Sequence, residues 1–303
     1  MRAIDLFAGA GGFTIGAQQA GAKVLWAANH WQLAVDTHSA NHAEAQHLCQ
    51  DLHQCDWTSV PDHELLLASP SCQGHSKARG KEEVRHDAAR ATAWAVVSAC
   101  EVKRPQTALV ENVAEFLDWS LYPAWEMALK ALGYHITHDI YDAADFGVPQ
   151  HRIRAFICAN LGKPIHLKPA NWVHRPATDF LDFNSGSWSV INKPGRSKKT
   201  LRSIERGRAD HGDTFLSPYY SSGSGLTGRS VHRPIGTITT KARWALIHKQ
   251  RMRMLTVPEQ RSAMGFPHDY KLPNAQYKAI HLLGNAVPPA MPKHFVEQIR
   301  QAV

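Results

Sequence analysis

The sequence predicts an α/β fold, in which a mostly parallel sheet carries helices on both faces and is accompanied by a smaller, irregular, β-rich lobe. Strand-like and helix-like stretches alternate over residues 1–160, lose that rhythm over 161–232, and regain it over 233–303. A chain of 303 residues is long enough for one large domain and a smaller one. We therefore expect a large domain at 1–160, a lobe at 161–232, and a closing segment at 233–303 whose last helix returns to the large domain.

Apolar runs predict the strands of the large domain, and the stretches between them predict its helices. Strands are expected at Ala3–Phe7, Lys23–Ala28, Glu64–Ala68, Thr107–Val110 and Ile153–Cys158. Helices are expected at Phe13–Gln19, Gln32–Ser39, Ala88–Glu101 and Pro123–Leu132, the last of them ended by Gly133. The lobe is expected to hold short strands and loops, and the closing segment helices at Pro258–Met264 and Met291–Ala302.

The composition is that of an ordinary soluble globular protein with a basic surface. Hydrophobic residues make up 44% of the chain, and no apolar run approaches the ~20 residues of a membrane span. Strand-like sequence starts at Ala3, so we expect no signal peptide, and five scattered cysteines favour a reducing compartment. The net charge is +8, and the segment 161–232 holds eleven Lys and Arg against five Asp and Glu. This balance favours a polyanionic partner, with a solvated basic face as the alternative.

A glycine-rich turn, Phe7-Ala8-Gly9-Ala10-Gly11-Gly12, follows the first predicted strand and opens the first predicted helix. Glycines at such a place let the backbone approach a ligand closely. The spacing is not GxGxxG, so the turn alone fits either a dinucleotide or S-adenosylmethionine.

A cysteine and a glutamate follow two later predicted strands. Cys72 lies in the polar loop Ser69–Gly74, and Glu111 opens the run Glu111-Asn112-Val113. A thiolate is a soft nucleophile and a carboxyl group is a proton donor, so the two suit covalent attack on an electron-poor ring. A buried packing cysteine and a surface glutamate are the alternatives. Strand alternation would put Arg152 and Arg154 on one face, where an exposed basic edge is the alternative.

In this order the motifs resemble those of the DNA cytosine-5 methyltransferases of bacterial and phage type. The resemblance covers roughly residues 1–160 and 229–295 and includes Arg233–Thr239 and Gly284–Pro289. It implies a Rossmann-like S-adenosylmethionine-dependent methyltransferase sheet with a target-recognition lobe. It also implies transfer of a methyl group from S-adenosylmethionine to C5 of a flipped-out cytosine in a specific duplex DNA sequence, through a covalent bond between cysteine and C6.

The resemblance also implies roles for individual residues. Cys72 would be the nucleophile and Glu111 the acid at N3 of cytosine, while Arg152 and Arg154 would stabilise the thiolate, orient Glu111 and contact the base. The implied cofactor-binding residues are Phe7, Gly9, Gly11, Gly12, His30, Trp31, Asp51 and Asn285. DNA-binding residues are expected at Gln73, Ser76, Lys198, Lys199, Arg202, Gly223, Gly225 and Arg229, and no metal is expected.

Two positions depart from the family pattern. His30 stands where the family usually has a Glu that holds the ribose hydroxyls, and a neutral His lacks the carboxylate acceptors. Ser71 separates Pro70 from Cys72, whereas the family has proline directly before cysteine, but this removes no catalytic group.

A cluster of histidines and cysteines suggests a zinc site as a competing interpretation. Its members are His38, His42, His47, Cys49, His53 and Cys55. The chain has nineteen histidines, so chance grouping is common.

Three functions stay open at this point. The leading one is the DNA methyltransferase; the others are an RNA (tRNA) cytosine-5 methyltransferase and a catalytically silent DNA-binding relative. We expect a cytoplasmic, nucleoid-associated monomer without a membrane partner that binds double-stranded DNA. It would work with a cognate restriction endonuclease or act alone.

Overall fold

The computed structural model describes residues 1–71, 92–219 and 228–303, and the chain divides into two compact units. The first unit comprises Met1–Asp142, Ile153–Ala170 and Ala286–Val303, and the second comprises Ala143–Arg152 and Asn171–Asn285. The segment predicted as a lobe thus belongs to the second unit from residue 171 onward, together with the following residues up to 285. Within the described ranges, no helix has the length and apolar character needed to cross a membrane.

The first unit is built on a seven-stranded sheet with the order β3-β2-β1-β4-β5-β7-β6. Its strands are β1 (Arg2–Leu6), β2 (Lys23–Asn29), β3 (Gln46–Cys49), β4 (Leu65–Ala68), β5 (Thr107–Asn112), β6 (His135–Asp142) and β7 (Ile153–Asn160). Neighbours from β3 to β5 are parallel, and β7 runs antiparallel to both β5 and β6. The central strands are buried on both faces, as the fully buried run Leu65–Ala68 shows. The predicted α/β fold with a mostly parallel sheet is confirmed.

The described helices of the first unit are α1 (Gly12–Gln19), α2 (Gln32–Asn41), α3 (Trp94–Lys103), α4 (Tyr122–Ala131) and α8 (Ala290–Ala302). Those of the second unit are α5 (Lys198–His211), α6 (Val257–Ala263) and α7 (Gln276–Asn285). Part of the predicted helix 88–101 lies outside the described residues. Strands β3 and β6 were not predicted, because both are edge strands whose partly exposed, polar sequences carry no apolar run.

The second unit contains a five-stranded antiparallel sheet with the order β10-β9-β11-β12-β8. Its strands are β8 (Ser189–Val190), β9 (Thr214–Pro218), β10 (Arg229–Ser230), β11 (Trp244–His248) and β12 (Arg251–Met254). Helix α5 packs on one face through Ile204, which joins an apolar cluster with Phe215 and Ile247. The sequence analysis missed this helix, because its few apolar residues are dispersed among basic ones and the stretch looked like a basic loop.

Candidate active site

Five neighbouring strands end along one edge of the large sheet. Because β3, β2, β1, β4 and β5 are adjacent and parallel, the segments that follow them leave the sheet on the same side. Those segments carry the glycine turn after β1, His30 after β2, Asp51 after β3 and the loop toward Cys72 after β4. The connections reverse direction between β1 and β4, and ligands of open α/β sheets bind at such a switch point.

The glycine turn after β1 has an unusual backbone. Phe7, Gly9 and Gly11 all have positive φ, at 62°, 52° and 81°. A left-handed backbone is ordinary for glycine but costs a bulky residue such as Phe7 about 1–3 kcal/mol, and such strain is concentrated at ligand sites. Gly11 immediately precedes α1, and its N–H donates to the Ala8 carbonyl at 2.8 Å. The turn therefore brings bare backbone and the start of a helix to the switch point.

A carboxyl group is buried directly beneath this turn. Asp5 is fully buried in β1, and its Oδ2 accepts a hydrogen bond from the Thr14 hydroxyl at 2.8 Å. Its Oδ1 has no partner among the described residues. Burial raises the pKa of Asp5 to about 7. The sequence analysis did not single out this residue; the available signal was a charged residue inside an otherwise apolar strand.

The Asp5–Thr14 pair continues into a cluster of histidines. His38 Nε2 lies 3.0 Å from the Thr14 hydroxyl, and His38 Nδ1 lies 2.8 Å from His47 Nε2. Burial lowers the pKa of His38 well below its usual range and that of His42 to about 4. No group of three or more His, Cys, Asp or Glu residues in the described parts of the chain has the arrangement of a metal site. The buried His38 and His42 are uncharged at neutral pH, and their ring nitrogens take part in hydrogen bonds with Thr14 and Gln18.

The other predicted cofactor residues in this unit lie at the ends of β2 and β3. His30 and Asp51 are exposed, and Trp31 is half-buried. The Asn29 side chain accepts from the Trp31 N–H at 2.9 Å, which fixes the turn in front of α2. One oxygen of Asp51 accepts from the His53 N–H at 3.0 Å. The turn and these three residues therefore lie along the same sheet edge.

Glu111 and Arg154 form a nearly buried ion pair. Arg154 Nε lies 2.9 Å from Glu111 Oε1, with side chains that are 13% and 8% exposed. Glu111 in β5 lies opposite Phe156 in the antiparallel β7, so Arg154, two residues before Phe156, is its diagonal neighbour on the same face. The pairing of these two strands therefore fixes the position of the predicted acid.

The next residue of β5 holds the loop that leads to the predicted nucleophile. The buried Asn112 donates from Nδ2 to the Pro70 carbonyl at 3.2 Å and accepts from the Val113 N–H at 2.8 Å. The Ser71 N–H donates to the Thr92 hydroxyl at 3.0 Å. Cys72 itself lies outside the described residues, as do the predicted DNA-contacting residues Gln73, Ser76, Gly223 and Gly225. Hydrogen bonds to Asn112 and Thr92 thus hold the start of the loop in place up to Ser71.

The remaining predicted residues belong to the second unit. Arg152 immediately precedes β7, is 1% exposed, and donates to the carbonyls of Ile238 at 3.0 Å and Gly284 at 2.8 Å. Asn285 is exposed at the end of α7. Of the predicted DNA-binding residues, Lys198, Lys199 and Arg202 are exposed on α5, and Arg229 is half-buried in β10.

Known proteins are similar to this chain in sequence and in fold. The sequence profile of the C-5 cytosine-specific DNA methylases matches residues 1–301. The type II methyltransferase M.NlaX of Neisseria lactamica is 25% identical over 99% of this chain and 96% of its own length. The type II methyltransferase M1.HphI of Haemophilus parahaemolyticus is 28% identical over 98% of this chain and 86% of its own. A prophage-encoded E. coli protein assigned as a DNA modification methyltransferase has the same fold, with a TM-score of 0.73 over 99% of both chains at 20% identity.

Proposed function

The chain belongs to the C-5 cytosine-specific DNA methylase family, and on that premise we propose that Cys72 and Glu111 carry out its chemistry. The family reaction transfers the methyl group of S-adenosylmethionine to C5 of cytosine in DNA. Carbon C5 of cytosine is a poor nucleophile, so the enzyme must add electron density to the ring. The thiolate of Cys72 does so by bonding to C6, while the Glu111 carboxyl donates a proton to N3. After methylation, with the donor released as its neutral thioether, C5 loses its proton to solvent and the C6–S bond breaks, which returns the thiolate. N3 gives its proton back to the Glu111 carboxylate.

The observation that carries this proposal is the position of Glu111. It is buried on β5, paired with Arg154, and followed by Asn112, which holds the loop ahead of Cys72 through the Pro70 carbonyl. A buried carboxyl group held by a diagonal arginine is a pre-oriented acid rather than a surface residue. Arg154 orients Glu111. For Arg152 we propose the role that the family resemblance implies, stabilisation of the thiolate, although its guanidinium donates to the Ile238 and Gly284 carbonyls of the second unit.

The residues at the sheet edge fit S-adenosylmethionine, which supplies an electrophilic methyl group when bound. The left-handed Phe7, Gly9 and Gly11 expose backbone to a ligand. We assign Phe7 and Trp31 to the adenine, Asp51 to its amino group, and His30 to the ribose hydroxyls in place of the usual carboxylate. Gly12, which opens α1, completes the turn, and Asn285 is assigned to the methionine end.

We assign duplex DNA binding to the second unit. Cytosine must leave the stack before a thiol can reach C6, at a cost of a few kcal/mol, and phosphate contacts offset that cost. Lys198, Lys199, Arg202 and Arg229 supply positive charge there, and Gln73, Ser76, Gly223 and Gly225 are assigned to closer contacts. Because its relatives are type II methyltransferases, we propose that the protein acts either beside a cognate restriction endonuclease or alone. We also propose that it is a monomer and acts on nucleoid DNA.

Trapping with 5-fluorocytosine tests the proposal, because fluorine at C5 blocks the final proton loss. Duplex DNA that contains 5-fluorocytosine, incubated with the protein and S-adenosylmethionine, should give an adduct that survives denaturation. Cys72→Ala should abolish the adduct, whereas Cys55→Ala, which removes a different, half-buried thiol, should not. An adduct formed only with transfer RNA would favour the RNA methyltransferase, and the lack of any adduct would favour a silent relative. Either result would overturn the proposal.

A further inference from the structure

A cavity of about 280 Å³ lies beside the first two turns of α5 in the second unit. Its lining consists of Lys199, Thr200, Ser203, Ser217, Pro218, Tyr219 and Arg243. Two of these side chains are cations and four carry hydroxyl groups, and the described lining includes no carboxylate. Cations together with hydroxyl donors make up the usual protein environment of a phosphate group.

The cavity follows from two small residues on the inner face of the sheet. Phe215, Ser217 and Tyr219 alternate along β9 and its continuation, and therefore face the same side. Phe215 fills the apolar core under α5, whereas Ser217 lies opposite Ala245 of β11, and both residues of that pair have small side chains. Ser217 is only 2% exposed. Larger apolar residues would have closed this space, and the chain instead places a hydroxyl group in it.

The walls of the cavity are held by hydrogen bonds. The Ser197 hydroxyl caps α5 by accepting from the Thr200 N–H at 3.1 Å and lies 2.9 Å from the Thr200 hydroxyl. Arg243 donates from Nη1 to the Tyr219 carbonyl at 3.1 Å. A guanidinium group has five N–H donors, so this bond, the one that Arg243 donates to a described residue, orients the side chain and leaves donors for an anion. Lys199 is exposed at the rim.

We propose that this cavity binds a backbone phosphate of duplex DNA and thereby fixes the register of the second unit on its substrate. The proposal rests on the function proposed above, because phosphate contacts position a protein on DNA without carrying sequence information. The start of α5 contributes its positive dipole end at the same place. Lys199 and Arg243 are therefore positioning residues for methyl transfer.

The salt dependence of DNA binding tests this assignment. Lys199→Gln and Arg243→Gln each remove one cavity cation, and Lys193→Gln removes an exposed cation of the same unit that does not line the cavity. Affinity for a mixed-sequence DNA duplex is measured from about 50 to 200 mM salt. Each cavity variant should reduce the slope of log K against log salt by about 0.9, and Lys193→Gln should leave it unchanged. Equal slopes for all three variants would overturn the proposal. The two cavity cations would then contribute to DNA binding only through the overall positive charge of the unit.

Three further measurements identify the source of the phosphate and distinguish the cavity proposal from the proposed methyl-transfer chemistry. Inorganic phosphate should compete with DNA for the wild type and lose that effect in Arg243→Gln; competition that the variant leaves intact would count against the cavity. A slope change with duplex RNA but not with DNA would overturn the assignment to DNA.

If the wild type traps 5-fluorocytosine DNA while Lys199→Gln keeps the wild-type slope, the cavity assignment fails and the proposed function stands. If no adduct forms but the slopes change as expected, the phosphate site stands and the proposed chemistry fails.

Discussion

Arg154 Nε lies 2.9 Å from Glu111 Oε1, and neither side chain is more than 13% exposed. Replacing Glu111 by Gln keeps the shape of the side chain and removes both the acid and one partner of the ion pair. We expect methyl transfer to fall by about 10²- to 10⁴-fold, the usual contribution of a positioned acid. Single-turnover incorporation of a labelled methyl group measures it.

A matched variant controls for a general effect of losing a carboxylate. Glu126→Gln breaks a surface pair with Lys130 on α4 and should leave the rate unchanged. Wild-type turnover by Glu111→Gln would remove Glu111 from the chemistry. A loss of rate accompanied by unfolding would be recognised from the urea transition of the variant.

Asp5 should make the stability of the protein fall as the pH rises. Its pKa is about 7 in the folded protein against 3.8 for an exposed carboxyl, so the folded state binds its proton more tightly. The stabilisation is complete below about pH 4 and is lost as the pH rises through 7, at no more than about 1.4 kcal/mol per pH unit. Asp5→Asn cannot ionise, so urea denaturation should show it gaining stability relative to wild type between about pH 4 and pH 7. Parallel stability curves for the two proteins would contradict this.

The sequence could predict the strands that the sheet buries but not the edges of that sheet. β4 is an unbroken apolar run because both of its faces are covered, whereas β6 is half exposed and looks like a polar loop. Helix α5 was missed for a related reason, since it buries little more than Ile204 and Gly207 and its other positions are mostly charged. Helix formation there depends on packing against β9, a contact that no local pattern reveals.

The site shows the same division between local motifs and distant contacts. The positions of Glu111, Asn112 and the glycine turn could be predicted, because each immediately follows or ends a strand. The partner of Asp5 could not, since Thr14 lies on α1, and neither could His38, which reaches the Thr14 hydroxyl from α2. The sequence analysis also placed Arg152 beside Arg154 on one strand, whereas Arg152 lies just before β7 and bonds carbonyls more than eighty residues away.

Glu259 should be a strong determinant of stability in the second unit. Both of its oxygens accept from the Arg253 guanidinium, at 2.6 and 2.7 Å, and both side chains are almost completely buried. Glu259 also accepts from the Thr256 N–H at 2.8 Å and so closes the capping box of α6. Glu259→Ala leaves a buried arginine without its partner, which costs about 3–5 kcal/mol in the free energy of unfolding.

An exposed pair in the same unit provides the comparison. Arg175 and Asp179 form an ion pair with side chains that are 55% and 32% exposed, so Asp179→Asn should cost less than about 1 kcal/mol. Urea titration measures both variants. If Glu259→Ala proved no more harmful than Asp179→Asn, the buried pair would contribute little to stability.

Gly284 should tolerate no side chain, because α7 meets another segment of the second unit at this residue. A Cβ at Gly284 would lie 2.3 Å from the Thr239 carbonyl carbon and the Thr240 nitrogen, both of them backbone atoms that cannot rotate away. Gly284→Ala must therefore displace α7 or that segment, and with it the Gly284 carbonyl that accepts from Arg152. Overpacking of this kind costs about 1–3 kcal/mol and should lower the melting temperature by several degrees.

Gly162→Ala is the control, since its added Cβ would come no closer than 3.5 Å to any neighbour. Equal melting temperatures for the two variants would show that the approach of these segments is looser than the structure has it.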